Sequence, residues 1–155
     1  LEEQPKYPTG RKFALTMGIK AASNDVLLFT DADTIPSGPS WISAMQQYYV
    51  SKTEMVLGLA FPRRRRGFLN ILSRYDAIYL ALQYSGHALR RRAYMGIGKN
   101  LSYLRTLFFF HKGYVSHIKH APGDDDLFVN VAAVKGHVQV ALDPRSFTEV
   151  TPEAS

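Results

Sequence analysis

A pair of aspartates, Asp31 and Asp33, follows directly after an apolar run at residues 26–30, and these residue types could bind a metal ion. If the chain is extended there, residues i and i+2 point to the same side, so both carboxylates can face one point. Two converging carboxylates repel each other unless a cation or hydrogen-bond donors lie between them. Mg²⁺ or Mn²⁺ would suit the pair, because these ions prefer oxygen ligands and bridge substrate phosphates. The alternative is a turn in which the aspartates accept hydrogen bonds from backbone amides.

Three consecutive aspartates, Asp124, Asp125 and Asp126, form a second acidic cluster after a Pro-Gly pair. Aspartates at the N-cap and in the first turn of a helix are stabilised by the helix dipole, so one or two of them need no further account. A third adds repulsion between like charges. One of the three could act as a general base whose titration is coupled to that of its neighbours. The sequence leaves helix capping and catalysis both open.

A glycine-containing segment at residues 96–103 reads GIGKNLSY. It matches neither the P-loop nor the dinucleotide-binding fingerprint. Its glycines predict close approach of the backbone to a ligand, or a bent strand.

Two arginine runs, at residues 63–66 and 90–92, hold seven of the 19 lysines and arginines in a chain of formal net charge +6. Such runs suit phosphates, anionic lipid headgroups or nucleic acid, and the alternative is a solvated loop. An amphipathic helix over residues 68–82 follows the first run. Its apolar face could contact a membrane surface or pack on a sheet.

The composition predicts one folded domain. With 155 residues, 46% of them hydrophobic and 21% charged, the chain can bury a core and has the composition of neither a disordered nor a membrane-embedded protein. There is no cysteine, which excludes disulfides, thiolate metal sites and cysteine nucleophiles. No apolar run of 18 residues occurs, so no membrane span is predicted.

Helices and strands alternate along the chain and must position these clusters. Helices are predicted at residues 10–23, 41–48, 68–86 and 124–136, and strands at 26–30, 54–61 and 137–142. In the first helix Phe13 and Met17 are expected to face inward, and Ser40 is expected to cap the second. The alternation predicts an α/β sandwich around a mostly parallel sheet. In open sheets of this kind ligands bind beyond the carboxyl ends of the strands, and Asp31 and Asp33 follow such an end.

In their order along the chain, these segments resemble glycosyltransferase family 2, whose members are inverting enzymes with a GT-A nucleotide-diphosphosugar transferase fold. The resemblance rests on residues 10–42 (GRKFALTMGIKAASNDVLLFTDADTIPSGPSWI), 96–109 (GIGKNLSYLRTLFF) and 123–133 (GDDDLFVNVAA), and it covers about residues 9–151. It implies a Rossmann-like, mixed but mostly parallel sheet flanked by helices.

The resemblance also implies a role for each acidic residue. Asp31 would lie near the donor and the metal, and Asp33 would hold a divalent ion, Mg²⁺ or Mn²⁺, against the diphosphate. Asp125 would be the catalytic base, with Asp124 in the neighbouring acidic position and Asp126 as an alternative. We also assign Lys12 to donor binding, and we assign the acceptor side to Gly98, Asn100 and Asp126.

The implied reaction is transfer of a sugar from a nucleotide-diphosphate donor, for which a UDP-sugar is expected, to a hydroxyl of a glycan or lipid acceptor. The ion would offset charge on the leaving diphosphate while the base takes the proton of the attacking hydroxyl, so one displacement inverts the anomeric carbon. No nucleic-acid partner is expected. The alternatives are a nucleotidyltransferase of related fold and a non-catalytic module that binds polyanions through its arginine runs.

Two features of the family are absent from this sequence, an earlier strand with an aspartate-rich loop and a later Q-x-x-R-W-type motif. We therefore expect residues 1–155 to be a single, partial catalytic domain, an internal piece of a longer enzyme that by itself binds donor poorly or does not turn over. That enzyme would lie at the cytoplasmic face of a membrane, through segments outside this sequence and with possible contact between this chain and the membrane surface.

Overall fold

A computed structural model describes residues 10–111, 124–133 and 137–151, with side chains described from residue 13 in the first stretch and from residue 128 in the second. The helices are α1 (Gly10–Ala21), α2 (Trp41–Gln46), α3 (Phe68–Leu89), α4 (Arg105–Phe110) and α5 (Asp124–Ala133). The strands are β1 (Val26–Phe29), β2 (Thr34–Pro36), β3 (Met55–Leu57), β4 (Ala60–Pro62), β5 (Leu101–Leu104), β6 (Val138–Val140) and β7 (Thr148–Val150). Short 3₁₀ turns precede β5 (Gly98–Asn100) and β7 (Pro144–Ser146).

The strands form two mixed sheets. The main sheet has the order β1-β5-β3-β6, in which β5 runs antiparallel to β1 and β3 while β3 and β6 are parallel. The small sheet has the order β2-β7-β4, with β2 antiparallel and β4 parallel to β7. The prediction of a mostly parallel sheet is therefore wrong for the described strands. The physical reason is that the chain enters β5 from the 3₁₀ turn at the edge where β1 and β3 end, so β5 must run back between them.

Helices cover both faces of the main sheet. One face carries Met55, Leu57 and Tyr103 and packs into a core with residues of α1, α3, α4 and α5. The other face carries Val56 and packs against Trp41 and Met45 of α2. This layering confirms the predicted α/β class.

The predicted strand at residues 54–61 is two strands in different sheets. β3 belongs to the main sheet and β4 to the small sheet, with Gly58 and Leu59 between them. Gly58 donates its backbone N–H to the carbonyl of Asn100 at 2.9 Å, and Thr148 of β7 donates to the carbonyl of Leu59 at 3.1 Å. These two bonds fix the point at which the chain leaves the main sheet and enters the small one.

Three local predictions fail near the start of the chain. α1 turns Phe13 and Met17 to solvent, about half exposed, and instead buries Ile19 in the core. The predicted buried strand β1 lies at the edge of the main sheet as described, so Val26 is 40% exposed. Ser40 precedes α2 but makes no side-chain capping bond.

The third helix is longer than predicted, since α3 continues through Gly86 to Leu89. Its buried residues are Ala81, Tyr84, Ser85 and Ala88. The apolar residues from which the helix was predicted lie on another face and are exposed. Within the described ranges, α3 and the other helices all lack the length and hydropathy that a membrane crossing requires.

Candidate functional site

The predicted acidic pair lies beyond one edge of the main sheet. Phe29 ends β1 opposite Leu101, which begins β5, and Leu101 in turn pairs with Leu57, the last residue of β3. Leu57 pairs with Val140, which ends β6. We call this edge, where β1, β3 and β6 end and β5 begins, the carboxyl edge. The loop with the acidic pair leaves this edge after β1, and the Gly98–Asn100 turn enters it before β5.

Asp31 and Asp33 lie in a turn and not in an extended segment. The backbone N–H of Thr34 donates to the carbonyl of Asp31 at 3.1 Å and closes the turn. The Thr34 hydroxyl donates to Asp33 Oδ1 at 3.1 Å, and the N–H of Thr151 donates to the Asp33 carbonyl at 2.8 Å. The premise that the two side chains project together from an extended strand is therefore wrong. The backbone forms a turn, as the alternative required, but the Asp33 carboxylate accepts a bond from the Thr34 hydroxyl, whereas that alternative had the aspartates accepting from backbone amides.

Lys99 forms an ion pair with Asp33 that the sequence reasoning missed. Its Nζ lies 2.6 Å from Asp33 Oδ2, and the two side chains are 29% and 42% exposed. The hydrogen bond from Lys99 lowers the pKa of the Asp33 carboxyl below its usual range, although burial acts in the opposite direction. Asp33 is therefore ionised at neutral pH. The only signal in the sequence is a single lysine among the glycines of GIGKN.

The donor set at this turn fits a hard divalent ion in part. Carboxylate oxygens are the preferred ligands of Mg²⁺, which is often held by one or two carboxylates together with substrate phosphates and water. Within residues whose side chains are described, no three His, Asp or Glu side chains form a group that could hold a metal. Asp33 could thus supply one ligand of a site completed by substrate, while its Oδ2 already accepts a bond from the Lys99 ammonium group.

The helix α5 packs beside the carboxyl edge through residues that lie one turn after its start. Phe128 and Val129 are buried in the core. A Cβ on Gly96 would lie 2.9 Å from Leu57 Cδ2 and 3.0 Å from Val129 Cγ2, which puts α5 beside the end of β3. Position 125 is one helical turn before Val129 in the same helix.

The beginning of the predicted helix at Asp124 is confirmed. The roles assigned to Asp124, Asp125 and Asp126 depend on side chains that lie outside the described ones, and so does the role assigned to Lys12. These roles stay predictions.

An aromatic stack connects the end of β1 with α5. Phe29 stacks on Tyr103 with ring centroids 4.6 Å apart, and Tyr103 lies 4.8 Å from Phe128. Close-packed rings of this kind resist relative movement of the elements that carry them. The loop with Asp33 and the helix with Asp125 are thus attached to one core.

Asn100, which was assigned to the acceptor side, is fully buried. Its Nδ2 donates to the carbonyls of Leu59 and Ser146 at 2.9 and 2.8 Å, and its Oδ1 accepts from Trp41 Nε1 at 3.2 Å. The Asn100 amide therefore stabilises the fold and holds the Gly98–Asn100 turn in place. Gly98, also assigned to the acceptor side, is half-buried in the same turn.

Lys99→Met is expected to raise the pKa of Asp33 toward the ordinary value of 3.8, because the Lys99 hydrogen bond is the main cause of its lowering. A lowered carboxyl pKa stabilises the fold at neutral pH, and this contribution disappears as the pH falls through the lowered pKa. The variant and the wild type should therefore differ slightly in stability at neutral pH and converge in acid, since a partly exposed pair contributes about 0–1 kcal/mol. Carboxyl NMR titration and denaturant unfolding measure the two effects. Lys20→Met, at an exposed position on α1, is the control and should leave the Asp33 titration unchanged.

The arrangement places an ionised carboxylate and an ammonium group side by side at the carboxyl edge. Such a pair can bind a cation and an anion together, as a metal-bound phosphate requires.

The chain was compared with protein-family models and with curated proteins, and it matches none of them.

Proposed function

We propose that this chain forms part of the catalytic domain of a metal-dependent, inverting glycosyltransferase that uses a nucleotide-diphosphate sugar, with a GT-A arrangement of its strands. The observation that carries the proposal is the Asp33–Lys99 pair, 2.6 Å long, at the carboxyl edge directly after β1. The order of the acidic turn, the glycine segment and the acidic helix start along the chain supports it further.

The diphosphate of the donor is expected to bind at the Asp33–Lys99 pair. The Asp33 carboxylate is ionised at neutral pH, so it can serve as a ligand to Mg²⁺ or Mn²⁺. The bound ion supplies charge neutralisation for the leaving nucleoside diphosphate. Lys99 is half-buried with its ammonium group next to Asp33, and it can donate to a phosphate oxygen placed beside that carboxylate.

The acceptor hydroxyl is expected to meet its base at the start of α5. Asp125 would remove the proton as the hydroxyl attacks the anomeric carbon on the face opposite the diphosphate. Supporting this assignment, Val129, one turn along, packs beside Gly96 at the end of β3. The acceptor, a glycan or a lipid, would enter between α5 and the Gly98–Asn100 turn.

Asp33→Asn in the full-length protein tests the proposal and should lower transfer about a hundredfold or more, since metal charge stabilisation is worth several kcal/mol in the transition state. The measurement is release of nucleoside diphosphate from a UDP-sugar in the presence of Mg²⁺ or Mn²⁺. Asp25→Asn is the matched control and should retain the wild-type rate. Asp25 precedes β1 at the opposite end of the strand, and its side chain, 80% exposed, forms a 3.6 Å ion pair with Arg105.

Two outcomes contradict the proposal. Turnover of Asp33→Asn at the wild-type rate would remove Asp33 from the site. Release of inorganic diphosphate in place of nucleoside diphosphate would indicate a nucleotidyltransferase, the competing class of enzyme.

A further inference from the structure

The helix α3 carries a continuous apolar face that the rest of the described chain does not cover. Seven large side chains are between 44% and 77% exposed: Phe68, Ile71, Leu72, Tyr75, Ile78, Tyr79 and Leu82. They recur at intervals of three and four residues, which places them in one stripe along the helix. The helix packs on the core through a separate stripe that includes Ala81, Tyr84 and Ala88. Within the described residues, the exposed stripe therefore takes no part in the packing of α3 on the core.

Single exposed apolar side chains are common on protein surfaces, but this stripe is continuous and long. α3 has 22 residues, so it is about 33 Å long, and the stripe runs along its first four turns. Contiguous exposed apolar surface of this extent marks a site of contact with a protein or a membrane.

The arginine run at residues 63–66 is fixed beside the start of the same stripe. Asn70 accepts the N–H of Arg65 at 2.8 Å and donates to the carbonyl of Arg63 at 3.0 Å. Arg74 donates from Nη1 to the carbonyl of Pro62 at 2.6 Å. These bonds from α3 hold the loop over the first two turns of the helix.

The loop and the helix together form an open cleft of about 820 Å³. Arg64, Arg65, Arg66 and Arg74 supply its charge, and Ile71, Tyr75 and Ile78 supply its apolar wall. Among the side chains that the structure describes, none forms an ion pair with Arg64, Arg65 or Arg66. Three guanidinium groups thus remain available for an anion at the border of an apolar surface.

We propose that α3 lies flat on an anionic phospholipid bilayer, with its exposed stripe inserted below the headgroups and Arg64, Arg65 and Arg66 bound to headgroup phosphates. A lipid surface fits both features at once, since acyl chains accept the apolar side chains while guanidinium forks bind phosphate in the layer directly above. A free phosphate would use the arginines and leave the stripe exposed to water. A helix with these properties lies in the interface and does not cross the bilayer.

Co-sedimentation with vesicles tests the proposal. The 155-residue chain is expected to bind vesicles of phosphatidylcholine mixed with phosphatidylglycerol, and to bind vesicles of phosphatidylcholine alone much more weakly. Added salt should weaken the binding, and inorganic phosphate should weaken it only as much as another salt of equal ionic strength. This assay contains no sugar nucleotide, so its outcome is independent of the proposed transferase activity. Asp33→Asn should bind vesicles like the wild type.

Two variants address the two halves of the surface. Leu82→Gln removes one apolar contact and should weaken vesicle binding roughly tenfold. Ile42→Gln is its matched control, because Ile42 on α2 is 64% exposed, close to the 66% of Leu82, and lies outside the stripe. Arg65→Gln/Arg66→Gln should weaken binding roughly tenfold or more, while Lys20→Gln/Lys52→Gln removes the same charge elsewhere and should have a smaller effect.

Three outcomes overturn the proposal. Equal binding to neutral and anionic vesicles would exclude headgroup recognition, and unchanged binding by Leu82→Gln and Arg65→Gln/Arg66→Gln would exclude this surface. If the chain forms dimers that Leu82→Gln dissociates while vesicle binding is absent, a second copy covers the stripe. Circular dichroism confirms that each variant is folded, and the substituted side chains are all exposed, so the fold should not depend on them.

Discussion

Asn100→Ala is expected to lower the free energy of unfolding by roughly 2–6 kcal/mol, since each buried polar group left without a partner costs about 1–3 kcal/mol. The substitution leaves two such groups, the carbonyl of Ser146 and the indole N–H of Trp41, while the carbonyl of Leu59 loses its Asn100 bond but keeps the one from the N–H of Thr148. A domain of this size is stable by only about 5–15 kcal/mol, so the loss is a large part of the total. The three partners belong to the β3–β4 link, α2 and the 3₁₀ turn before β7. Asn100 therefore joins the two sheets and one helix layer.

Denaturant unfolding followed by circular dichroism measures this loss. Asn130→Ala is the matched control and should change stability by less than about 0.5 kcal/mol, because Asn130 is exposed and makes one 3.3 Å bond to the carbonyl of Tyr94. Gly58→Ala supplies an independent check, since its Cβ would overlap the Asn100 amide and lie 2.6 Å from Oδ1. In the Asn100→Ala background the cost of Gly58→Ala should shrink, which a double-mutant cycle detects. An Asn100→Ala protein that unfolds at the wild-type midpoint would contradict the assigned role.

The parts of the fold that the sequence predicted are those set by local patterns. The helical period predicted Trp41, Ala44, Met45 and Tyr48 on one face; the first three are buried in α2, and Tyr48, which follows the end of the helix, is half-buried. The aspartates after Pro-Gly located the start of α5, because carboxylates favour the first turn of a helix. In both places neighbouring residues determine the conformation, so distant contacts are not needed to predict it.

The division of residues 54–61 between two sheets was not predictable in this way. The run is apolar throughout, with no break in composition except Gly58. The chain changes sheet there because the Asn100 amide occupies the space beside Gly58 and binds the carbonyl of Leu59. A contact between residues so far apart in the chain leaves no trace in a local pattern.

The sequence predicted that α3 has an apolar face, and it left open whether this face contacts a membrane or packs on a sheet. In the structure, a different face of α3 packs on the core. Periodicity identifies apolar stripes, but it cannot tell which of two stripes packs on the core when a helix has both. The packed stripe of α3 consists largely of small residues, Ala81, Ser85 and Ala88, around Tyr84, and a hydropathy pattern gives such residues little weight. In the candidate site, Lys99 was missed for a related reason, since its partner Asp33 lies in a distant turn.

Asp125→Asn in the full-length protein is expected to lower the rate of sugar transfer by roughly 10²–10⁴-fold, the usual contribution of a general base. Asparagine keeps the shape of the side chain and is also favoured near helix starts, so α5 should remain folded. The change costs about 0.3–1 kcal/mol of helix-dipole stabilisation, which is too little to account for such a loss of rate. The measurement is kcat at saturating donor and acceptor, together with calorimetric binding of the nucleotide donor. Binding should stay near the wild-type value, because Asp33 and Lys99 bind the donor in the proposed site.

The comparison with Asp124→Asn and Asp126→Asn separates a base from a charged helix start. If the three aspartates act only through the helix dipole, each replacement should produce a similar small change in stability and leave the rate within a few-fold of the wild type. If Asp125 is the base, its replacement alone should produce the large loss, and the wild-type rate should fall in acid as the coupled carboxylates become protonated. A larger loss with Asp126→Asn would move the base by one residue. Because proton transfer requires the base within hydrogen-bond reach of the acceptor hydroxyl, that result would also redefine the direction from which the acceptor enters.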